Sequence, residues 1–448
     1  MRHPERVNTS SPISKRERPR WRHDFGLFWF AQGTSVIGDQ VREFAVPLIA
    51  VTVLHVSSVD LGVLGAAQWL PFLVLALPLG VVIDRYRRRT LLIVSEFARG
   101  ILTLGLAVAA AAGLLGFPLL LIAAILLGTF TVVYEIGHQS AIPSLVPRDR
   151  LGFANARIQA TAAAGEVGGP GLGGVLLQIF GVTVTLAVNA ATHLLSAAAL
   201  IAMRSQETRP PTAKRHFFGE LRTGALHVMR DPYLRANVGF SAIYNPFAQW
   251  VTLLLTLYAI HDLGLEAAQV GVIFSAGAVG ALVGAASASR LARHASVGRI
   301  MVLCAVVECT MLVLIPAVAP SWPALMSVLA LAVIMGVNGA GTALSSVLLI
   351  TIRQLRTPDE LLGRVNATMR CVTYGTIPLG ALAGGFVGEW LGARLGILVG
   401  AVLCLSTIVW VALSPLRGVQ SLDDLALDFA ATERQAPAGG AKAPSEVK

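Results

Sequence analysis

The chain has 448 residues, 55% of them apolar and 13% charged, with a mean hydropathy of +0.69 and a formal net charge of +10. No soluble domain of this size has that balance, and the basic residues are spread over seven segments, so a soluble enzyme and a nucleic-acid binder with one basic face are both excluded. Runs of roughly 20 apolar residues, the length that crosses a hydrocarbon core of about 30 Å, recur twelve times.

Residues 1–23 are polar and basic, without the apolar core of a signal peptide, and are expected to form a disordered cytoplasmic tail. The first run, 25–54, carries Gln32, Ser35, Asp39, Arg42 and Glu43 at steps that place them on one polar stripe of a helix. Asp39 lies about 12 residues in, near the bilayer midplane at about 1.5 Å per residue. Two readings stand: a proton carrier tuned by desolvation and by Arg42, or a fixed Asp39–Arg42 ion pair. After the second run, 61–83, comes Gly80-Val-Val-Ile-Asp84-Arg85-Tyr86-Arg87-Arg88-Arg89, whose acidic residue would be favoured at a helix N-terminus. The third run, 90–112, holds Glu96 and Arg99, which read as a local pair.

The fourth run, 117–139, ends with Glu135 and His138 one turn apart, either a proton relay or an interhelical contact. In the fifth, 154–180, Gly165-Glu-Val-Gly-Gly169-Pro170-Gly-Leu-Gly173-Gly174 removes side chains where helices approach closely, and its proline removes one backbone donor. Glu166 lies inside this segment. The sixth run, 182–203, holds His193, read as a packed polar residue. Residues 204–235 are a basic connection in which Phe217, Phe218, Leu221, Ala225, Val228 and Met229 follow helical spacing, predicting an amphipathic helix on the inner leaflet.

Six further runs follow, at 236–260, 268–290, 299–319, 323–350, 364–389 and 396–414, and then a second disordered tail, 415–448. The seventh carries Tyr244, Asn245 and Gln249, and the tenth carries Asn338 and Thr342. Glu308, mid-span with no local cation, reads as buried and neutral or facing a neighbouring helix. Cys304, Cys309, Cys371 and Cys404 all fall within runs with no metal-ligand spacing, so neither metal nor cofactor is expected. Of the 35 lysines and arginines, 32 lie on connections of one side, which puts both termini and the central connection in the cytoplasm of a multi-pass cell-membrane protein.

The chain also repeats itself. Pro147 to Ala156 aligns with Pro358 to Ala367 at an offset of 211, which carries Gly169, Gly173, Gly174 and Gly181 onto Gly380, Gly384, Gly385 and Gly392, and a shift of 209 carries Gly62 onto Gly271. Two bundles, 24–203 and 236–414, are expected.

These motifs resemble the major facilitator superfamily. Gly165, Gly169, Pro170, Gly173 and Gly174 match its antiporter signature, and Gly80, Asp84, Arg85, Arg88 and Arg89 match its loop motif, with Arg87 in place of a glycine. Gly38-Asp39 and Gln139-Ser-Ala-Ile-Pro143 with Asn155 are similar to a bacterial subfamily of siderophore and macrolide exporters. The resemblance implies an all-α integral membrane fold of twelve helices in two pseudo-symmetric six-helix bundles, with helices one, four, seven and ten lining a cavity. Asp84 would be a conformational latch, one-sided because Arg293 stands at the equivalent position of the second half.

The resemblance further implies a secondary active exporter, driven by the proton gradient and carrying an amphiphilic small molecule such as an antibiotic, drug or siderophore. The expected partners are that substrate, protons and lipid, with no nucleic acid, and the expected state is a monomer. The drug-antiporter arginine of helix four is absent, its place taken by Glu135 and His138. A facilitator or importer of the same fold, or a membrane sensor, is the alternative. An enzyme is disfavoured because no nucleophile–base pairing or phosphate loop stands out. The cavity is expected to be apolar with scattered polar groups and no fixed cations. Gly169→Leu is expected to open the seal beside the fifth helix, and Gly113→Leu to leave it intact.

Overall fold

The computed structural model describes residues 18–83, 87–147, 150–204, 217–425 and 427. Among these the secondary structure is helical throughout, the expected outcome for a backbone that must satisfy its own hydrogen bonds in lipid. The helices are α1 Arg18–Thr52, α2 Ser58–Ile83, α3 Arg88–Ala111, α4 Phe117–Leu145, α5 Leu151–Ala202, α6 Phe217–Arg230, α7 Pro232–Leu257, α8 Ala267–His294, α9 Val297–Leu314, α10 Ala324–Leu355, α11 Asp359–Cys404 and α12 Ser406–Leu413.

Two of these are hairpins, each reversed at one glycine. Gly181 in α5 has φ 74° and Gly392 in α11 has φ 78°, a left-handed conformation open to glycine. The reversal shows in the packing: Ala154 and Ile158 at the start of α5 share a buried cluster with Ala199 and Leu200 at its end. A side chain at Gly396 would lie 3.2 Å from the Cα of Gly388, four residues to either side of Gly392. Among the described residues, eight helical stretches are long and apolar enough to cross a membrane, and the two double rods among them are each long enough for two crossings. The expected twelve would also need α1 and α7, which carry the polar stripes and are not among those eight.

The repeat read from the sequence has a structural counterpart in the glycine contacts. In the first half a side chain at Gly169 or Gly173 would strike α1, at Gln40 and at Phe44 with Val41; one at Gly174 would strike Ala267 and Ala268 of α8. In the second half Gly380 and Gly384 face Pro246 and Trp250 of α7, and Gly385 faces Ser58, Val59 and Gly62 of α2. The converse contacts match: a side chain at Gly62 would lie 2.6 Å from the carbonyl oxygen of Ala381, and one at Gly271 2.6 Å from that of Pro170.

The halves therefore meet along two equivalent seams, α5–α8 and α2–α11. Each is clasped by a side-chain oxygen on a helix start. The Gln178 Oε1 accepts the Ala268 backbone N–H at 3.0 Å, and the Glu389 Oε2 accepts that of Ser58 at 3.1 Å. Residues 178 and 389 are again 211 apart. Both clasps lie at the end of the bundle remote from the termini, called here the far end.

At the near end, where an amphipathic helix is expected, Phe217–Arg230 forms α6, braced on protein; the side chains of Phe217, Phe218 and Leu221 fall outside the described ones. In α6 Val228 packs with Leu234, Val365 and Met369, and Gly224 lies against the Arg364 backbone, while Leu226 and Met229 stay exposed. Asp231 then caps α7, its Oδ1 accepting the N–H groups of Tyr233 and Leu234 at 2.9 Å each. Its other oxygen accepts from Arg356 Nε at 2.9 Å and lies 2.8 Å from Nη2. Both partners are buried, so Asp231→Ala is expected to leave a buried guanidinium without its carboxylate and destabilise the fold by about 3–5 kcal/mol. The measurement is the melting temperature in detergent; an unchanged value would show that the pair bears no part of the fold.

Candidate functional site: a charged network behind a central cavity

Between the halves lies a cavity in two connected parts. The first, ≈ 670 Å³, is lined by α1, α4 and the first arm of α5, including Asp39, Glu43, Glu135, His138 and Glu166. The second, ≈ 700 Å³, is lined by α7, α10 and α11, including Tyr244, Asn245, Thr342, Arg353 and Arg370. Tyr374 borders both and stacks on Trp69, ring centres 5.7 Å apart. Asn155 and Gln159 near the start of α5, and Gly363 and Asn366 near that of α11, line the two parts, so the cavity reaches toward the near end. Toward the far end it narrows to a space of ≈ 240 Å³ beside Gln249, Pro170 and Phe274.

Behind the first part is a charged network of three helices. Asp39 accepts from Arg99 Nη1 at 2.7 Å and from Arg42 Nη2 at only 3.3 Å, so its main partner is on α3, not one turn away on α1. Arg99 also bonds Glu96 and donates to the Ser35 Oγ at 3.0 Å, and that hydroxyl donates to Glu96 Oε1 at 2.7 Å. The other oxygen of Glu96 meets His193 Nδ1 at 3.0 Å, while His193 Nε2 lies 3.9 Å from Asp39. Glu96 with Arg99 is thus not merely a local pair, and His193 is not merely packed. Both belong to a circuit through α1, α3 and the second arm of α5.

The inner part of the circuit is dry. The side chains of Arg99, Glu96 and His193 are 0% exposed, whereas that of Asp39 is 18% exposed on the cavity wall. Charges cost several kcal/mol in a low-dielectric interior unless paired, so a change of charge enters this network from the cavity side, at Asp39 or at Glu43, which is 42% exposed and 3.9 Å from Arg42. Arg99 lies 4.6 Å from the centre of the Tyr134 ring, and the Tyr134 hydroxyl donates to Gln32 at 2.7 Å. The Nε2 of His193 and the Nε of both Arg42 and Arg99 are buried without hydrogen-bond partners.

Other expectations are corrected. Glu135 and His138 do not pair: His138 stacks on Phe28, ring centres 5.0 Å apart, and its Nε2 has no hydrogen-bond partner. Ser35 and Asn338 lie behind the cavity wall. Ser35 is held inside the network, and Asn338 donates to the Tyr244 hydroxyl at 3.2 Å and to the Glu308 backbone at 3.0 Å. Glu308 is buried and takes the Ser345 hydroxyl at 2.7 Å, with no cation on it among the described residues. Gln32, Tyr244, Asn245, Thr342 and, in the narrow part, Gln249 do line the cavity.

The absence of fixed cations is overturned by Arg353 and Arg370, which charge counting places among the inner-side residues but which line the cavity. Of the latch residues, Gly80 lies in α2 and Asp84 and Arg85 fall outside the described residues. Arg88 begins α3, and Arg89 donates to the carbonyls of Leu200 and Ile201 at 3.0 and 2.8 Å. Those are last-turn carbonyls with no partner inside their own helix, so through them Arg89 ties two helices of one half together.

A bundle of membrane-length helices in two repeated halves, with a charged cavity between them, is the build of a membrane transporter. The profile of the transmembrane secretion effector family matches residues 18–437, and the chain belongs to this family of the major facilitator superfamily. It is 30% identical over 344 residues to the enterobactin exporter EntS of Shigella dysenteriae serotype 1, covering 74% of this chain and 79% of the relative. EntS of Escherichia coli O81 matches at the same identity and coverage. Among solved structures, the nucleoside transporter NupG superposes with a TM-score of 0.72 at 11% identity, over 87% of this chain and 99% of its own. A bacterial homologue of the iron transporter ferroportin gives 0.67 at 15% identity, over 87% and 98%. The chain is a multi-pass inner-membrane transporter that takes a small molecule.

Proposed function

We propose that the protein is a proton-driven exporter that moves an amphiphilic small molecule out of the cytoplasm by alternating access. With the basic connections inside, the near end is cytoplasmic and the cavity is caught open toward the cytoplasm, its far seams clasped. The carrying observation is the arrangement of Asp39, a cavity-facing carboxylate bonded to Arg99, which with Glu96 and His193 has no exposed side-chain surface. A proton arriving at Asp39 would release its hold on Arg99 and alter the packing of α1 against α3 and α5. The resemblance to enterobactin exporters favours export and makes enterobactin the first compound to test.

The experiment uses inside-out vesicles carrying the protein, a pre-formed acid interior and a proton-sensitive dye. Adding enterobactin, or another transported compound, is expected to discharge part of the gradient while the compound accumulates inside. Accumulation that persists after the gradient is collapsed would point to a facilitator and overturn the coupling.

A further inference from the structure

The two walls of the cavity carry opposite charge. The wall of the N-terminal half presents Asp39, Glu43, Glu135 and Glu166. That of the C-terminal half has no carboxylate among its described lining residues, and presents Arg353 of α10 and Arg370 of α11 with Asn245, Ser346 and Asn366. Both line the same part of the cavity, and neither forms an ion pair with a described residue. The Nε of Arg353 is buried without a hydrogen-bond partner.

The other arginines that face the interior or a backbone carbonyl have a partner for the charge, even where one Nε is left over. Arg99 and Arg42 meet carboxylates, Arg356 meets Asp231, and Arg394 donates to the Pro316 carbonyl at 2.9 Å. Two like charges left facing one cavity are therefore an exception, and like charges brought together away from bulk water repel each other. A guanidinium fork matches the paired oxygens of a carboxylate, sulfonate or phosphate and holds them by two parallel hydrogen bonds. Beside the pair, Tyr374 with Trp69 and Phe72 offers an aromatic surface for an apolar body.

We propose that Arg353 and Arg370 dock an anionic group of the transported molecule, so that the substrate class is the amphiphilic anion. The proposal rests on the exporter reading for its context and adds a division of labour: the acidic wall handles protons, the basic wall holds the cargo. An anion bound there and a proton bound at Asp39 do not compete for one group.

The test is equilibrium binding to the full-length protein in phosphatidylcholine nanodiscs, with radiolabelled taurocholate as the anionic probe and tetraphenylphosphonium as a cation of comparable bulk. Taurocholate is expected to bind in preference to the cation, to weaken about tenfold or more in Arg353→Gln and Arg370→Gln, and to recover in part in Arg370→Lys. Melting temperatures of the variants establish that they are folded. Equal taurocholate binding by the glutamine variants, or binding of the cation alone, would overturn the site. Taurocholate binding that disappears when phosphatidylglycerol is added to the discs would assign the arginines to a lipid headgroup and overturn the substrate assignment. None of these outcomes touches proton coupling, which the vesicle experiment reads separately.

Discussion

Gly174→Leu is expected to abolish net transport and make the protein leak protons, whereas Gly168→Leu, in the same segment of the same helix, is expected to behave as the parent. A side chain at Gly174 would run into the backbone of Ala267 and Ala268 at the start of α8, and backbone cannot swing aside as a side chain can. Overpacking of this kind costs about 1–3 kcal/mol, enough to shift a two-state equilibrium by roughly 5- to 150-fold. The cost falls on the state in which the far seam is closed. Gly168, by contrast, faces open space, with no neighbouring atom within 4 Å of where its side chain would begin.

Gly169→Leu should act differently, because it meets Gln40 within its own half and strains α1 against α5 in both states; its signature is a lower melting temperature. Gly113 is no neutral control, since its φ of 68° strains any other residue. The readout is decay of an imposed pH gradient in proteoliposomes. Equal decay for the Gly174 and Gly168 variants would show that the seam tolerates a side chain and does not gate.

Asp39→Asn is the second large effect expected. The sequence alone suggests that this change removes an ionisable oxygen and spares the fold. The network shows a further cost: Arg99, with no exposed side-chain surface, loses the carboxylate that balances it, leaving two arginines against Glu96 and the more distant Glu43. Breaking a buried pair from one side destabilises by about 3–5 kcal/mol. Proton-coupled transport should fall to background and the melting temperature should drop as well. Combining Asp39→Asn with Arg99→Gln is expected to restore neither, because buried Glu96 then loses the guanidinium it shares with Asp39. Normal substrate-driven proton movement in the single variant would remove Asp39 from the mechanism.

The spans, the repeat and the presence of close helix contacts could be read from the sequence because each leaves a local signal: a run of apolar residues, a recurring Pro-to-Asn-Ala segment, glycines at an interval of 211; that Gly174 and not Gly169 meets the other half could not. The network could be read only in part. Spacing exposes neighbours on one helix, so Arg42 looked like the partner of Asp39; Arg99 is 60 positions away and enters through packing of α1 on α3. A signal was nonetheless present, since Glu96 and Arg99 in the middle of an apolar span are too costly to satisfy each other alone and call for partners on another helix. Arg353 and Arg370 carried no such signal. Near a helix end or a connection an arginine reads as a topology marker, and only the depth of the cavity reveals that these two line it.

The hairpins at Gly181 and Gly392 have a practical consequence for watching this molecule work. Turning on one residue, they leave no connecting loop at the far face, so reporter groups must sit on the other connections. Leu114, between α3 and α4, and Trp322, between α9 and α10, are 75% and 42% exposed and belong to opposite halves. Three of the four native thiols, Cys304, Cys309 and Cys404, are buried, and Cys371 is half-buried, so cysteines placed at 114 and 322 would take most of a spin label or dye. Their separation would then report directly, as a distance, how far the two halves rock apart.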